Sequence, residues 1–295
     1  MKVFSKEQLN SLFLPDNNSY GEDNGQITII GGSSLFHGAP LLSLKIASRV
    51  VDMVFFASPD KSVGEVAEKI KSELLSFIWV PWEDVEDYIV KSDAVLIGPG
   101  FMRFSSEKVH HSVRHVDCDD ACQATRNITE ILLKKYPEKR WVIDAGSLQT
   151  MEAEWIPENA ILTPNRNEFE LLFKLKKSTL KLVGSKEEVA EFVQSKAKKH
   201  KCIIVLKGPE TIVCSPTKCI LVKGGNAGMT KGGTGDTLAG LTVALAAKND
   251  PFVAASAASY ITKAAADVIF NKKGVYYNAD DLVVQIPLTF KKLMT

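Results

Sequence analysis

Residues 92–100 read SDAVLIGPG, a short apolar run that stops on glycines. The same pattern recurs as QITIIGG at 26–32, RWVIDAGS at 140–147, KCIIVLKG at 201–208 and, in shorter form, ENAILTPN at 158–165. Runs of this length, rich in Val and Ile and bounded by turn residues, predict β-strands. They are apolar throughout instead of alternately, so both faces of their sheet are expected to be covered. DMVFFAS at 52–58 predicts a further strand, and apolar residues at helical spacing fill 39–50, 83–90, 121–136, 166–176 and 186–199. Strands alternating with helices predict an α/β fold with a mostly parallel central sheet between two helical layers. TIVCS at 211–215 and KCILVKG at 218–224 meet across Ser215 and Pro216, which predicts a hairpin. Polar residues fill 15–25, so the first element is expected near Gln26, with 1–24 as an extension. Trp79 and Trp82 flank a proline and are expected at an edge. No linker or repeat interrupts the chain, so 1–295 is expected to be one domain.

Composition narrows the function classes. The chain has 36 basic and 35 acidic residues and a net charge of +1, which gives no overall field toward nucleic acid or an anionic membrane. The apolar stretches 233–247 and 251–270 are separated by Lys248, Asp250 and Pro251 and read as buried helices in preference to membrane spans. The N-terminus lacks the apolar core of a signal peptide. Five cysteines do not suggest a disulfide framework; Cys202, Cys214 and Cys219 sit in apolar strands and are expected as small core residues. Free thiols and the absence of a membrane segment favour the cytoplasm.

In open parallel sheets, ligands bind at the carboxyl ends of the strands. That rule draws attention to 98–101, 144–147, 163–168 and 207–211, which carry Gly, Asp, Asn, Glu, Lys and Thr, the chemistry of a phosphate and metal site. The strongest local signal is GGNAGMTKGGTGD at 224–236, followed by the small-residue helix TLAGLTVALAA. Glycines let main-chain N–H groups approach an anion, and a helix that starts there adds its positive end. Asp236 falls in the first turn beside that anion site. A carboxylate does not bind phosphate, so its chemical use there is to accept a proton from a hydroxyl that attacks phosphorus. The plainer alternative is a glycine-rich turn with Asp236 as a helix cap. Neither a Walker A nor a G-x-G-x-x-G pattern fits the run.

GGTGDTLAG at 232–240 resembles the signature of the ADP- or ATP-dependent NAD(P)H-hydrate dehydratases, members of the ribokinase-like superfamily. GQITIIGGSSLFHGAPLLS, VLIGPGF, VIDAGSL, LTPNRNEFELL and VLKGPETIV are similar to that family's other motifs and stand in its order, from about residue 25 to 245. Residues 101–130 match least. The resemblance implies a ribokinase-like fold and repair of a hydrated nicotinamide cofactor, in which ADP or ATP phosphorylates the ring hydroxyl and phosphate then leaves. It implies Asp236 as the base, with Gly233, Thr234 and Gly235 as an anion hole. It further implies Lys207, Gly208, Pro209, Glu210 and Thr211, with Gly235, as the nucleotide site, and Ala39, Gly100, Asn165 and Asp236 around the hydrate. Asn165 replaces the His of one bacterial pattern and completes an N-x-x-E element with Glu168, similar to the one that organises Mg²⁺ in ribokinase-like kinases. Asn165 also suits a cap on a helix starting at Arg166. Asp144 is expected to support the metal or to cap the next helix.

Two further readings stand beside this one. A ribokinase-like kinase of a vitamin precursor or sugar would share the fold. A nucleotide sensor without turnover would not need the base Asp236. GGTGD favours ADP as donor, whereas the TPN spelling is shared with ATP-using relatives. A homo-oligomer is expected, and the fused epimerase domain common in the family is expected on a separate chain. His110, His111, His115, Cys118 and Cys122 invite a zinc site, but no second ligand cluster closes one, so a solvated surface insertion is the expectation.

Overall fold

The structure, a computed structural model, describes residues 1–72, 74–103, 118–176, 178–182 and 184–295. Its strands are β1 (Lys2–Val3), β2 (Gln26–Ile30), β3 (Met53–Ala57), β4 (Ile78–Trp79), β5 (Ala94–Ile97), β6 (Arg140–Ile143), β7 (Ile161–Leu162), β8 (Ile203–Leu206), β9 (Thr211–Cys214) and β10 (Cys219–Val222). They form one sheet in the order β1-β10-β9-β8-β7-β6-β5-β2-β3-β4. From β8 to β4 every neighbouring pair is parallel; β9 and β10 form the antiparallel hairpin predicted from the sequence.

Successive strand residues point to opposite faces, and here both faces are covered. Ile27, Ile29, Ala94, Leu96 and Val142 pack into one core. It is roofed by α1 (Gly38–Ala47), α2 (Lys61–Ile70), α9 (Thr234–Ala246), α10 (Pro251–Lys273) and α11 (Ala279–Met294). Ile30, Val95, Ile97, Trp141 and Ile143 pack into the other. Its helices are α3 (Val85–Lys91), α4 (Asp120–Lys135), α5 (Ala145–Thr150), α6 (Arg166–Leu172), α7 (Thr179–Leu182) and α8 (Lys186–Lys199). This is the three-layer α/β/α arrangement expected. α10 is long and apolar enough to cross a membrane, but 72% of its apolar window is buried against the rest of the chain, as in a core helix.

Several expectations need correction. The sheet begins before Gln26: β1 pairs with β10, and Phe4, Leu9 and Leu12 of the N-terminal segment are buried in the core. α6 stops at Leu172, short of 176, where Lys174 adopts a positive φ of 52°. The short edge strand β4, and α2, α7 and α11, were not anticipated. Trp79 does lie at the edge, its ring 5.3 Å from that of Phe56. Cys214 and Cys219 are direct cross-strand partners in the hairpin and form a disulfide, as do Cys118 and Cys122. Among the described residues only Cys202 is free. Composition misled here because pairing depends on register, which brings the Cα atoms of 214 and 219 to 4.2 Å.

Candidate active site

The chain runs outward from β2 through β3 to β4 and then returns to β5 on the other side of β2. This reversal creates the switch point at which open α/β sheets bind ligands. Gly32 N–H donates to the Pro99 carbonyl at 2.8 Å, and Ser33 Oγ to the Gly100 carbonyl at 2.8 Å. Gly100 has φ +75°, and a Cβ on it would fall 2.5 Å from the Phe36 carbonyl oxygen and 2.9 Å from Pro40 Cδ. Only glycine lets the 31–38 segment lie this close to the end of β5. Ala39, in the first turn of α1, directly precedes Pro40, which packs against Gly100.

The glycine-rich run places the second part. Gly233 has φ +91°, and a Cβ there would lie 2.4 Å from Leu42 Cδ1 and 2.8 Å from Ala279 Cβ. Thr234 Oγ1 donates to the carbonyls of Met229 at 2.7 Å and Lys231 at 3.0 Å, which fixes the approach to α9. Thr237 N–H closes the first turn on the Gly233 carbonyl at 3.0 Å. The N–H groups of Gly235 and Asp236 thus head a thirteen-residue helix, where its partial positive charge is concentrated. Ser43 Oγ donates to the Asp236 carbonyl at 2.7 Å and ties α1 to this turn.

The carboxyl ends of β6, β7 and β8 supply the third part, a charged cluster. Lys207 Nζ lies 2.9 Å from Asp144 Oδ1 and 3.7 Å from Glu168 Oε2. Thr163 Oγ1 donates to Asp144 Oδ1 at 2.8 Å, and Gln149 Nε2 to Glu168 Oε1 at 3.0 Å. A Cβ on Gly235 would lie 3.4 Å from Lys207 Nζ, so the ammonium sits against the head of α9. Burial opposes the charge on Lys207, but Asp144 and Glu168 outweigh it and hold the lysine protonated. Burial raises Glu168 above the ordinary carboxylate range, Lys207 works against that, and Asp144 adds to it. Asp236 is pushed up to about 7, first by burial and then by Asp144 and Glu168, with Lys207 opposing. A carboxylate near neutrality, beside an anion-binding turn, is tuned to take up a proton at physiological pH.

The structure brings Asp144, Glu168, Lys207 and Asp236 together, whereas the side chains of Glu210 and Thr211 stand outside that cluster. Asn165 and Glu168 form a reciprocal capping box on α6: Glu168 N–H donates to Asn165 Oδ1 at 3.0 Å, and Asn165 N–H to Glu168 Oε2 at 2.8 Å. A carboxylate has about four acceptor sites, so Glu168 retains capacity toward a metal-bound water. Asp144 does not cap α5 with its side chain; it faces the cluster. Among the described residues no three His, Cys, Asp or Glu side chains are grouped to hold a metal by themselves. Mg²⁺ suits such a donor set when substrate phosphates and water complete its shell. In 207–211, Lys207 enters the cluster, Glu210 pairs with Lys186, and Thr211 is buried at the start of β9. Gly208 and Pro209 turn their carbonyls toward Lys263 of α10. Sequence reading missed Lys263, with Asp267 and Asn226 beside it; the only available signal was a Lys/Asp pair four residues apart in an alanine-rich run. It also missed Gln149, and it marked Thr163 only as part of the strand end 163–168. Cys118 and Cys122 of the suspected zinc cluster are bonded to each other, and its histidines at 110, 111 and 115 lie outside the described residues.

Comparison with known proteins shows the family. Residues 27–288 match the sequence family described as NAD(P)H-hydrate dehydratase. The bifunctional NAD(P)H-hydrate repair enzyme of Methanocaldococcus jannaschii is 32% identical over 291 residues, covering 96% of this chain and 51% of that protein. The chain therefore spans about half the length of the first curated relatives it matches. The ADP-dependent (S)-NAD(P)H-hydrate dehydratase of Nitrosopumilus maritimus is 29% identical over 95% of this chain and 93% of its own. The ADP/ATP-dependent NAD(P)H-hydrate dehydratase of Bacillus subtilis, co-crystallised with ATP and Mg²⁺, superposes with a TM-score of 0.79 at 23% identity, covering 99% of this chain and 98% of that one.

Proposed function

The chain belongs to the NAD(P)H-hydrate dehydratase family, and from that premise we infer that it returns hydrated NADH or NADPH to the intact cofactor at the expense of ADP. The observation that carries this is Asp236, raised to about 7 at the head of α9 and flanked by the Lys207–Asp144–Glu168 cluster. Phosphoryl transfer to the hydroxyl of the hydrate needs an anion hole and a base, and the raised pKa of Asp236 supports its reading as that base.

The hydrate enters at the switch point, between Ala39, Gly100 and Asn165. ADP lies along 207–211, with its terminal phosphate over Gly233, Thr234 and Gly235. Asp236 takes the proton of the ring hydroxyl as that oxygen attacks the β-phosphorus, and AMP leaves. The helix N–H groups stabilise the charge that develops on the transferring phosphoryl group. The phosphate ester then loses phosphate with the C–O electron pair, and the adjacent ring carbon gives up a proton to restore the double bond. Mg²⁺, when bound, neutralises phosphate charge; Glu168 and Asn165 would hold it through water. Lys207 keeps the carboxylates near Asp236 compensated while the base changes charge.

Residues 1–295 act as one ribokinase-like unit, in the cytoplasm and as a homo-oligomer, in concert with an activity that interconverts the hydrate epimers. Relatives described as bifunctional repair enzymes support a coupled second activity. The N. maritimus relative, described as ADP-dependent, supports ADP as the donor.

Absorbance in the reduced-nicotinamide band tests the function directly, with NADH hydrate, Mg²⁺ and either ADP or ATP. Recovery of absorbance with wild type, lost in Asp236→Asn, is the expected result, and the nucleotide that supports it is the donor. If neither nucleotide restores absorbance in protein that still binds ADP, the repair reaction is wrong and hydroxylated vitamin precursors become the acceptors to screen.

A further inference from the structure

α10 is built mainly of alanine and other small or apolar residues, and on its buried face it carries one ammonium and, a turn later, one carboxylate. Lys263 is 5% exposed. Its Nζ donates to three main-chain carbonyls: Pro209 at 2.7 Å, Gly224 at 2.9 Å and Gly208 at 3.2 Å. An ammonium has three donors, and all are spent on two loops. One turn on, Asp267 Oδ2 accepts the Gly225 N–H at 2.9 Å and Oδ1 accepts Asn226 Nδ2 at 3.2 Å. Asn226 Oδ1 in turn accepts the Gly228 N–H at 3.0 Å and the Tyr277 hydroxyl at 2.8 Å. The fit is close: a Cβ on Gly225 would lie 2.7 Å from Met229 Sδ and 3.4 Å from Lys263 Nζ.

The two loops are those that flank the nucleotide site. Residues 208–209 follow Lys207, and 224–228 lead into the turn at Gly233. Each leaves the sheet there and loses the support of strand pairing, so its geometry must come from elsewhere. Filling the space under them does not require charge, since buried charged groups are often replaceable by apolar side chains at no loss of stability. What Lys263 and Asp267, each bonded to the loops, add is direction: together they fix which carbonyls turn inward, and so which N–H groups turn outward toward a ligand.

We propose that Lys263, supported by Asp267, is a positioning residue that holds 207–211 and 224–228 in the one relative arrangement that binds the adenine nucleotide. It touches neither substrate nor the reacting atoms. The role rests on the assignment of 207–211 and the head of α9 as the ADP site, and the test separates the two. The full chain and its Lys263→Met variant are assayed with ADP and NADH hydrate varied independently. The expected result is a rise of roughly tenfold or more in the KM for ADP, the size expected for losing hydrogen bonds to a charged donor. The KM for hydrate should stay within about twofold and kcat should fall by less than the ADP term rises. Asp267→Asn should move the same constant in the same direction by less, and it carries the test alone if Lys263→Met is not recovered folded. Lys263→Arg, which retains the charge and the donors, should recover part of the ADP affinity. An unchanged KM for ADP in either folded variant, or parallel rises in both KM values, overturns the proposal. A wild type that turns over with no adenine nucleotide at all would instead remove the assignment on which it rests.

Discussion

Two lysines are enclosed at the carboxyl edge of this sheet, and their surroundings differ in kind. Lys207 is ringed by carboxylates, with Asp144 at 2.9 Å and Glu168 at 3.7 Å. Lys263 is ringed by main-chain carbonyls, which carry no net charge and do not titrate. Burial pulls against the charge of both; for Lys207 the two acids prevail and its pKa rises, whereas for Lys263 burial prevails over Asp267 and Glu210 and its pKa falls. The lesson is that a buried ammonium has two separable uses. Beside acids it sets the electrostatics of a reacting group, and beside carbonyls it sets the path of the backbone. Substitutions at the first should therefore appear in pH profiles, and at the second in nucleotide affinity.

The largest effect is expected from the group on which the Lys207 cluster acts. Asp236→Asn removes the proton acceptor without changing shape and should lower kcat by at least about a hundredfold, and up to about 10⁴. Wild-type kcat/KM should rise with pH through about 7, because the base works only when deprotonated. The same residue gives a stability readout of opposite sign. Its folded pKa of about 7 lies above the ordinary 3.8. Its contribution to stability is thus complete below about pH 4 and is lost as pH rises through 7. Asp236→Asn lacks that loss, so its Tm advantage over wild type should widen between pH 4 and 8. A difference in Tm that is flat with pH would show that Asp236 is not perturbed.

Lys207→Met comes next and breaks the comparison most directly. It leaves Asp144 and Glu168 buried without their cation, a change expected to cost about 3–5 kcal/mol and visible as a lower Tm. Lys207 opposes the rise of the Asp236 pKa, so its loss should move the acid limb of kcat/KM to higher pH. Lys263→Met should leave that limb in place. Should both variants shift it equally, the distinction between an electrostatic and a positioning lysine fails.

How much of this was legible in the sequence follows the same division. The strand–glycine runs gave the parallel sheet and its carboxyl edge, because continuous apolar runs and turn residues are local signals. Asp236, Asn165, Glu168 and Lys207 were legible because each sits in a short motif at a strand or helix end, and the capping box at Asn165 is itself a local pattern. What stayed hidden depends on register and on contacts distant in sequence. Cys214 and Cys219 read as core residues because only the β9–β10 pairing makes them neighbours. Phe4, Leu9 and Leu12 looked like an extension because their partners lie in the C-terminal half and the sheet edge. Lys263 was passed over because, within an alanine-rich helix, nothing local shows that its three acceptors arrive from positions 208, 209 and 224.

The smallest effect worth measuring belongs to Glu168→Gln. Gln serves the N3 position of a capping box as well as Glu does, so its side-chain oxygen can still accept the Asn165 N–H and α6 should keep its start. The substitution thus removes charge with little change of structure. Glu168 ranks behind burial and Asp144 among the causes that raise Asp236. Removing it should move the acid limb of kcat/KM to lower pH, opposite in sign to Lys207→Met and smaller in size. It should leave the KM for ADP at low Mg²⁺ more sensitive to the metal concentration if Glu168 holds metal-bound water. A limb that moves upward would mean that Glu168 is protonated where Asp236 titrates and helps the base by hydrogen bonding instead of opposing it by charge.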